Sequence, residues 1–508
     1  MTGVARPVVC VVGAGTAGLE GILSAAEQLG TDAELRLIAP ELEFRYRPMS
    51  HSSLLRPAQE RRLAIADLVA QVGATWVVDR ADFVDQNERI VVTREGDTVH
   101  FDFLLLALGA RSARTLRQGY VWERGGDPDF LDRIIRGLAA GELRSVAVAV
   151  PRGARWPIPA YELALILAWT ATGSDARVTL LTAEEQPLSA LGPEATKTVA
   201  RELDAAGVDV VSGVEVIDEH EGPAEGSQLA ELIILPEGPA DEPGALVARP
   251  SDPARVRLGT SSVEFERLIS LPTMVGPFID GVTTDAIGFI EVDERLKVCG
   301  SERIWAAGRC ISAALEHSAL SARQADAAIA AIAAAGAGET KTGSGRLCRS
   351  PELAGILLTG QRDQWLAENP VGTREPSTRC LWWPPGRAVG RMLAQHIAAW
   401  DPSVHQTLPS HPGGLEIRAP VALGCSERSS VVSAGAPVSA DVRNARLRDI
   451  ENRQQMAVRR RGREAAAELQ ALEDRLQTLA ARERAVVHEL QQHGYLRDHD
   501  DEVARRPK

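Results

Sequence analysis

One short stretch has residue types and spacing that point directly at chemistry: Gly13-Ala14-Gly15-Thr16-Ala17-Gly18. In a loop of this spacing the first glycine permits a tight turn and the second lets the backbone approach a pyrophosphate. The third lets the following helix pack close to the strand, so that free N–H groups of the helix N-terminus face the phosphates. Taken alone the spacing is a weak signal, since a glycine-rich strand–helix turn that binds nothing has the same letters. Its setting sharpens it: the loop follows the apolar run 7–14 (PVVCVVGA) and opens a helical pattern over 17–29. In such a unit an acidic residue closes the second strand and holds the adenosine ribose. That position falls near Ala39, with Glu41 next. Glu41 is either that acid or a solvated loop carboxylate.

The elements that must hold this loop form a consistent order. The unbroken Val-rich run 7–14 reads as a strand buried on both faces. Helix 17–29, strand 34–38 and strand 101–107, ending at Gly109, continue the unit. A linker and helix over 112–140 lead into a second unit with strand 145–150, helix 160–172, strand 177–182, helix 191–206 and strand 208–211. This order predicts a parallel sheet with right-handed crossovers. Residues 218–263 read as loop-rich and acidic, and strand 303–307 with an Ala-rich helix over 318–335 returns to the first unit. The fold class expected is α/β: two Rossmann-like dinucleotide-binding domains followed by a C-terminal helical extension. Residues 1–111 and 264–335 make the first domain and residues 112–263 the second.

Beyond them, 336–345 reads as a flexible connection, 346–400 as a compact further region and 401–440 as a Pro-, Ser- and Gly-rich linker. From 441 to 493 the chain reads as a charged helix. Its Leu469, Leu472, Leu476, Leu479, Val486 and Leu490 keep the 3-4 spacing of a coiled-coil seam. That predicts a homo-oligomer, a helix folded back on its own domain being the alternative. Residues 386–400 place Val389, Leu393, Ile397 and Trp400 at helical spacing. Such a helix either lies on a membrane face or packs on the core, and core packing is the preferred reading. The formal charge of −13 excludes the basic face that nucleic acid requires. No apolar run is long enough to span a bilayer, and no leader is expected ahead of the first strand. A cytoplasmic protein, at most peripheral to the inner face of the membrane, is expected. The six cysteines include no CxxC pair, which argues against a disulfide framework and against a metal site. Cys10 reads as a core residue.

Two more signals follow the loop in order: Leu106-Ala107-Leu108-Gly109, and Ile304-Trp305-Ala306-Ala307-Gly308. With GAGTAGLEG, LIAPELEFRYRP, FDFLLLALGAR, WPIPAYELALILA, SARQADAA and LWWPPGR, they make residues 7–400 resemble a known family. It is the FAD-dependent pyridine nucleotide-disulfide oxidoreductases, in particular the sulfide:quinone reductase and type II NADH dehydrogenase group of actinobacterial type. The resemblance implies FAD, with NAD(P)H as second cofactor, and electron transfer from a small-molecule reduced donor to a quinone or other acceptor. It implies that Gly13, Gly15, Thr16, Ala17 and Gly18 hold the FAD pyrophosphate. Glu41, Arg47 and Pro48 would line the adenosine and flavin side, Gly109 would sit where the strand returns near FAD, and Gly308 and Arg309 beside the ribityl chain. Glu162 would lie close to the flavin ring and relay a proton. Alternatively it is a carboxylate favoured by a helix N-terminus.

The sequence departs from that family in three places. The family's Gly-Asp is Gly308-Arg309 here, and an arginine accepts no hydrogen bond. A Lys-Gln-Gly-Gly-like turn is replaced by Glu316-His317-Ser318-Ala319. The second phosphate loop, Pro151 to Tyr161, keeps only Gly153 and carries three prolines without N–H donors. It is expected to cradle a nicotinamide pyrophosphate poorly, unless Arg152 and Arg155 compensate by charge. No cysteine lies between Cys10 and Cys299, so the cysteine pair of sulfide chemistry lacks a partner. Two functions therefore stand: an FAD-dependent oxidoreductase, or a degenerate member of the fold that acts as a coiled-coil-assembled scaffold.

Overall fold

The computed structural model describes residues 6–46, 61–114, 116, 118–122, 128–218, 233–234, 253–258, 261–313, 315–337, 352–358, 390–400 and 414–420. By contacts the chain divides into Met1–Thr93 with Thr98–Ala436, described below, and Arg94–Asp97 with Pro437–Lys508. The expected coiled coil over 441–493 lies outside the described residues.

Two five-stranded parallel sheets dominate. Their strands are β1 Val8–Val12, β2 Glu34–Ile38, β3 Thr75–Val77, β4 Phe103–Leu106, β5 Tyr120–Val121, β6 Ser145–Val150, β7 Arg177–Thr182, β8 Asp209–Val211, β9 Arg267–Ser270 and β10 Ile304–Ala306. The helices of interest are α1 Thr16–Leu29, α2 Pro128–Ala139, α3 Ile158–Thr170, α4 Pro193–Ala205, α5 Ser318–Gly336 and α6 Met392–Trp400. The first sheet has the order β10-β4-β1-β2-β3, the second β5-β9-β6-β7-β8. In both, the strand before a phosphate loop lies mid-sheet, β1 between β4 and β2 and β6 between β9 and β7. The carboxyl ends of the strands therefore converge on one edge, where ligands of open α/β sheets bind.

The apolar runs explain the central strands. Cys10 pairs in register with Arg36 on one side and Leu104 on the other. It is fully buried, and burial pushes its thiol up to about 12. Cys10 is a packing residue, as the Val-rich context implied. α1 lies close over β4 and α5 because Gly21 faces them: a Cβ there would come 2.6 Å from Leu105 and 3.8 Å from Ala325. The small residues of α5, including buried Ala322, Ala325 and Ala328, complete this contact.

Elements outside the sequence expectation include the helix Ile65–Val72, the strands Ala254–Leu258 and Ser261–Phe265 in the stretch read as loop-rich, the strand Gly414–Pro420 in the stretch read as a linker, and β5, β9 and β3 of the two main sheets. β9 is central to the second sheet, past residue 263 where that domain was expected to close. Its four residues, RLIS, are too few to show a strand period. β3, the edge of the first sheet, is a three-residue strand with the same difficulty.

The helix expected over 386–400 is seen as α6, and it packs on the core: Leu393 and Ile397 are fully buried while Trp400 is half-exposed. Its anchor is Glu20 of α1, a fully buried carboxylate. Glu20 accepts from the amides of Arg391 (2.7 Å), Met392 (2.9 Å) and Leu393 (2.7 Å). These are the orphan donors of a helix N-terminus. Burial raises the Glu20 carboxyl, and the three amides pull against it. Arg391 in turn donates to Asp326 of α5 at 2.7 Å. Among the described residues no helix is long and apolar enough to cross a membrane.

Candidate dinucleotide-binding site

β1 delivers the chain into the Gly13–Gly18 loop. The Gly13 amide donates to the Ile38 carbonyl at 2.8 Å, which ties the loop to the end of β2. Gly13 has φ +103°, and a Cβ there would collide with the Ala107 carbonyl. A Cβ on Gly18 would collide with the carbonyl of Gly13. Both glycines are therefore demanded by the chain's own packing. Gly15 is different: its backbone is extended (φ −75°, ψ −173°), conformationally open to any residue, and a Cβ would meet nothing within 4 Å. Gly15 caps α1 with no side-chain hydrogen bond, and the first turn contains no acidic residue. Thr16 is half-buried and Ala17 buried behind it. The result is an open recess floored by backbone, with helix amides facing it. This donor set suits the pyrophosphate of a dinucleotide such as FAD.

Other expected residues follow the ends of strands in this sheet. Gly109 follows β4 with φ +73° and open space beside it. Gly308 follows β10 with φ +85°, donates its amide to Gln324 Oε1 at 3.0 Å, and would bring a Cβ within 2.9 Å of Ala17. Glu41 lies just beyond β2 and is exposed. Ala39, at the strand's end, is buried and bonded to Val77. Arg47 and Pro48 lie outside the described residues.

The turn after Gly308 resolves two of the departures together. Arg309 forms an ion pair with Glu316, so the residue that replaces the family's aspartate and the one that reverses its lysine-like charge answer each other. His317 Nδ1 accepts from the Ala319 amide at 3.2 Å and caps α5. Cys310 is fully buried, and burial raises its thiol to about 11. Among the described residues no cluster of His, Cys, Asp or Glu is placed to hold a metal ion.

The second loop, Pro151–Pro157, occupies the equivalent place after β6, but its polar groups are engaged by the chain itself. The Ala154 amide turns back on the Pro151 carbonyl at 3.2 Å. Arg152 pairs with Glu215 at 3.5 Å. Arg155 donates to the Ile311 carbonyl at 2.7 Å and stacks its guanidinium 3.3 Å from the centroid of the Phe289 ring. The Arg155 carbonyl accepts from the Glu316 amide at 3.0 Å, and Trp156 packs on His317 with ring centroids 4.8 Å apart. The loop straps onto residues 311–317, and both of its arginine side chains already have partners within the chain.

Glu162 is buried on α3, and the first turn of that helix has no acidic residue. A macrodipole effect that fades within the first turn therefore does not account for it. Its neighbour Tyr161 carries a constellation that sequence reasoning missed. The fully buried Tyr161 donates its hydroxyl to Glu184 Oε2 at 2.5 Å and accepts from the Leu188 amide at 3.1 Å. Glu184 follows β7 by two residues, the place where an acid would meet a second dinucleotide's ribose. Here burial raises its carboxyl, with the Tyr161 and Thr182 hydroxyls pulling the other way. The signal was available as an acid just past the second strand of the second unit.

The paired sheets, each with a strand–loop–helix turn at its carboxyl edge, define a two-dinucleotide-domain scaffold. No family model matches the chain. It is 26% identical over 330 residues to an NADH dehydrogenase-like protein of Mycobacterium tuberculosis, covering 62% of this chain and 75% of that one. Its fold is similar to that of the sulfide:quinone oxidoreductase from Aquifex aeolicus. That match has a TM-score of 0.52 and 16% identity, over 70% of this chain and 82% of the other. The chain thus shares its fold with an oxidoreductase and is similar in sequence to a protein described as NADH dehydrogenase-like.

Proposed function

We propose that this protein is an FAD-dependent oxidoreductase that passes electrons from a reduced donor to a quinone or another acceptor. The observation that carries this reading is the asymmetry of the first loop: Gly13 and Gly18 are blocked by backbone, whereas Gly15 faces open space. Glycine is an acceptable cap there, and with no side chain it also leaves the way to the α1 amides clear. In this reading residues 1–111 and 264–335, less β9, form the FAD domain, and residues 112–263 with β9 the second domain. Gly13, Gly15, Thr16, Ala17 and Gly18 hold the pyrophosphate on the α1 amides. Glu41, Arg47 and Pro48 serve the adenosine and flavin side, Gly109, Gly308 and Arg309 the middle of the cofactor, and Glu162 the proton traffic near the ring. FAD, when bound, supplies the redox chemistry; the chain binds it, orients it and excludes water. Residues 441–493 assemble the homo-oligomer.

The test is a titration of apo-protein with FAD, followed by visible absorption, for the wild type and Gly15→Val. The wild type should take up FAD. The variant should fold with a small drop in melting temperature, because valine caps a helix less well than glycine, and lose at least about tenfold in affinity, equivalent to about 1.4 kcal/mol. A wild-type protein that stays colourless would sink the reading and leave the coiled-coil scaffold in its place.

A further inference from the structure

We propose that Glu316 supplies the carboxylate acceptor that the Gly308-Arg309 sequence lacks, and that it takes hydrogen bonds from the hydroxyls of the flavin's polyol chain. The inference rests on the FAD reading above and deepens it.

The Arg309 guanidinium has donors only, and the structure turns it onto Glu316. One Glu316 oxygen is engaged by that ion pair. The other, Oε2, is buried and has no hydrogen-bond partner among the described residues. The whole side chain is 13% exposed. A buried acceptor left without a donor is unfavourable and rare in native proteins. This oxygen is therefore held ready for a donor that a ligand brings.

The backbone fixes where that donor must come from. The turn carrying Glu316 begins at Gly308, which packs against Ala17 of the phosphate loop. It is braced from the other side, where the Glu316 amide donates to the Arg155 carbonyl at 3.0 Å. The carboxylate is thus carried by a turn that starts against the phosphate loop and is held from its far side by the second loop. A polyol joined to that pyrophosphate has hydroxyl donors of the required kind. A carboxylate accepts such donors more strongly than a neutral group does. Acceptor and cation have exchanged places relative to the resembling family: the carboxylate moves from position 309 to 316, and the cation comes to 309.

Calorimetric titrations of the full-length apo-protein with FAD and with ADP separate the possibilities, because ADP carries adenosine and pyrophosphate without the polyol. Glu316→Ala should weaken FAD about tenfold and leave ADP affinity unchanged. Glu316→Gln keeps the shape and one acceptor and should lose about threefold. The double variant Arg309→Asp with Glu316→Arg returns the carboxylate to position 309 and should recover most of the FAD affinity. Unchanged FAD affinity in Glu316→Ala, or equal losses for FAD and ADP, would overturn the proposal. A wild type that binds ADP but not FAD overturns the role of Glu316 while leaving a nucleotide cradle. One that binds neither overturns the FAD reading itself.

Discussion

Each sheet presents a strand–loop–helix turn at its carboxyl edge, and the two turns are made of opposite material. In Gly13–Gly18 two glycines let backbone pack on backbone, while the third leaves the helix amides open to a recess. In Pro151–Pro157 prolines remove donors, Arg152 pairs with Glu215, and Arg155 and Trp156 reach the 311–317 segment. The acids that follow the second strands differ in the same sense: Glu41 is exposed, whereas Glu184 is bound by Tyr161 and Thr182. One fold therefore holds a turn shaped for a ligand and a turn shaped for its own neighbour. Position in a sheet makes a binding site available; the loop's free donors decide whether it is one.

The sharpest way to break this comparison is to add one methyl group to each turn. Gly18→Ala drives a Cβ into the Gly13 carbonyl, and backbone on both sides leaves nothing flexible to yield. It should cost about 3–5 kcal/mol of stability, read by urea unfolding, and abolish FAD uptake. Gly153→Ala meets only the Thr273 side chain, at 3.7 Å. Its cost is confined to the positive φ, about 1–2 kcal/mol, with FAD uptake unchanged. Equal losses for the two variants would show that the loops are equivalent after all.

Ligand preference gives a second contrast of smaller size. NADH and NADPH have a pyrophosphate to place at Pro151–Pro157, where proline nitrogens donate nothing and Arg155 must first leave the Ile311 carbonyl and the Phe289 ring. Each should therefore bind the FAD-loaded protein at least about tenfold more weakly than FAD binds the apo-protein. Comparable affinities would mean that the strap opens at little cost.

Much of this was legible in the letters, and the limits have physical causes. The Val and Leu runs around Cys10 and Leu104 made the first sheet's central strands readable, because strands buried on both faces carry no polar positions. The glycine spacing located the cradle for the same reason that it works: only glycine tolerates those approaches. The pairing of Arg309 with Glu316 was not readable, since residues seven apart on an irregular turn have no period to betray their contact. Glu20 has no signal of its own in the sequence, because its role depends on a partner 371 residues away. β9 and β3 were missed because a strand of three or four residues shows too little alternation to stand out.

The finest probe of the comparison is the buried acid of the second sheet. Burial raises the Glu184 carboxyl above its ordinary 4.5, so between 4.5 and the raised value the folded protein binds a proton that the unfolded chain has released. Stability must then fall as pH rises through that window, and level off above it. Glu184→Gln keeps an acceptor for the Tyr161 hydroxyl but has no charge to bury. The variant should lose this part of the pH dependence and gain about 1 kcal/mol relative to the wild type above the window. Urea unfolding at a series of pH values from 4 to 8 reads the difference. A wild type and a Glu184→Gln variant with parallel profiles would mean that Glu184 reaches solvent. The second sheet's acid would then be as open to a ribose as the first.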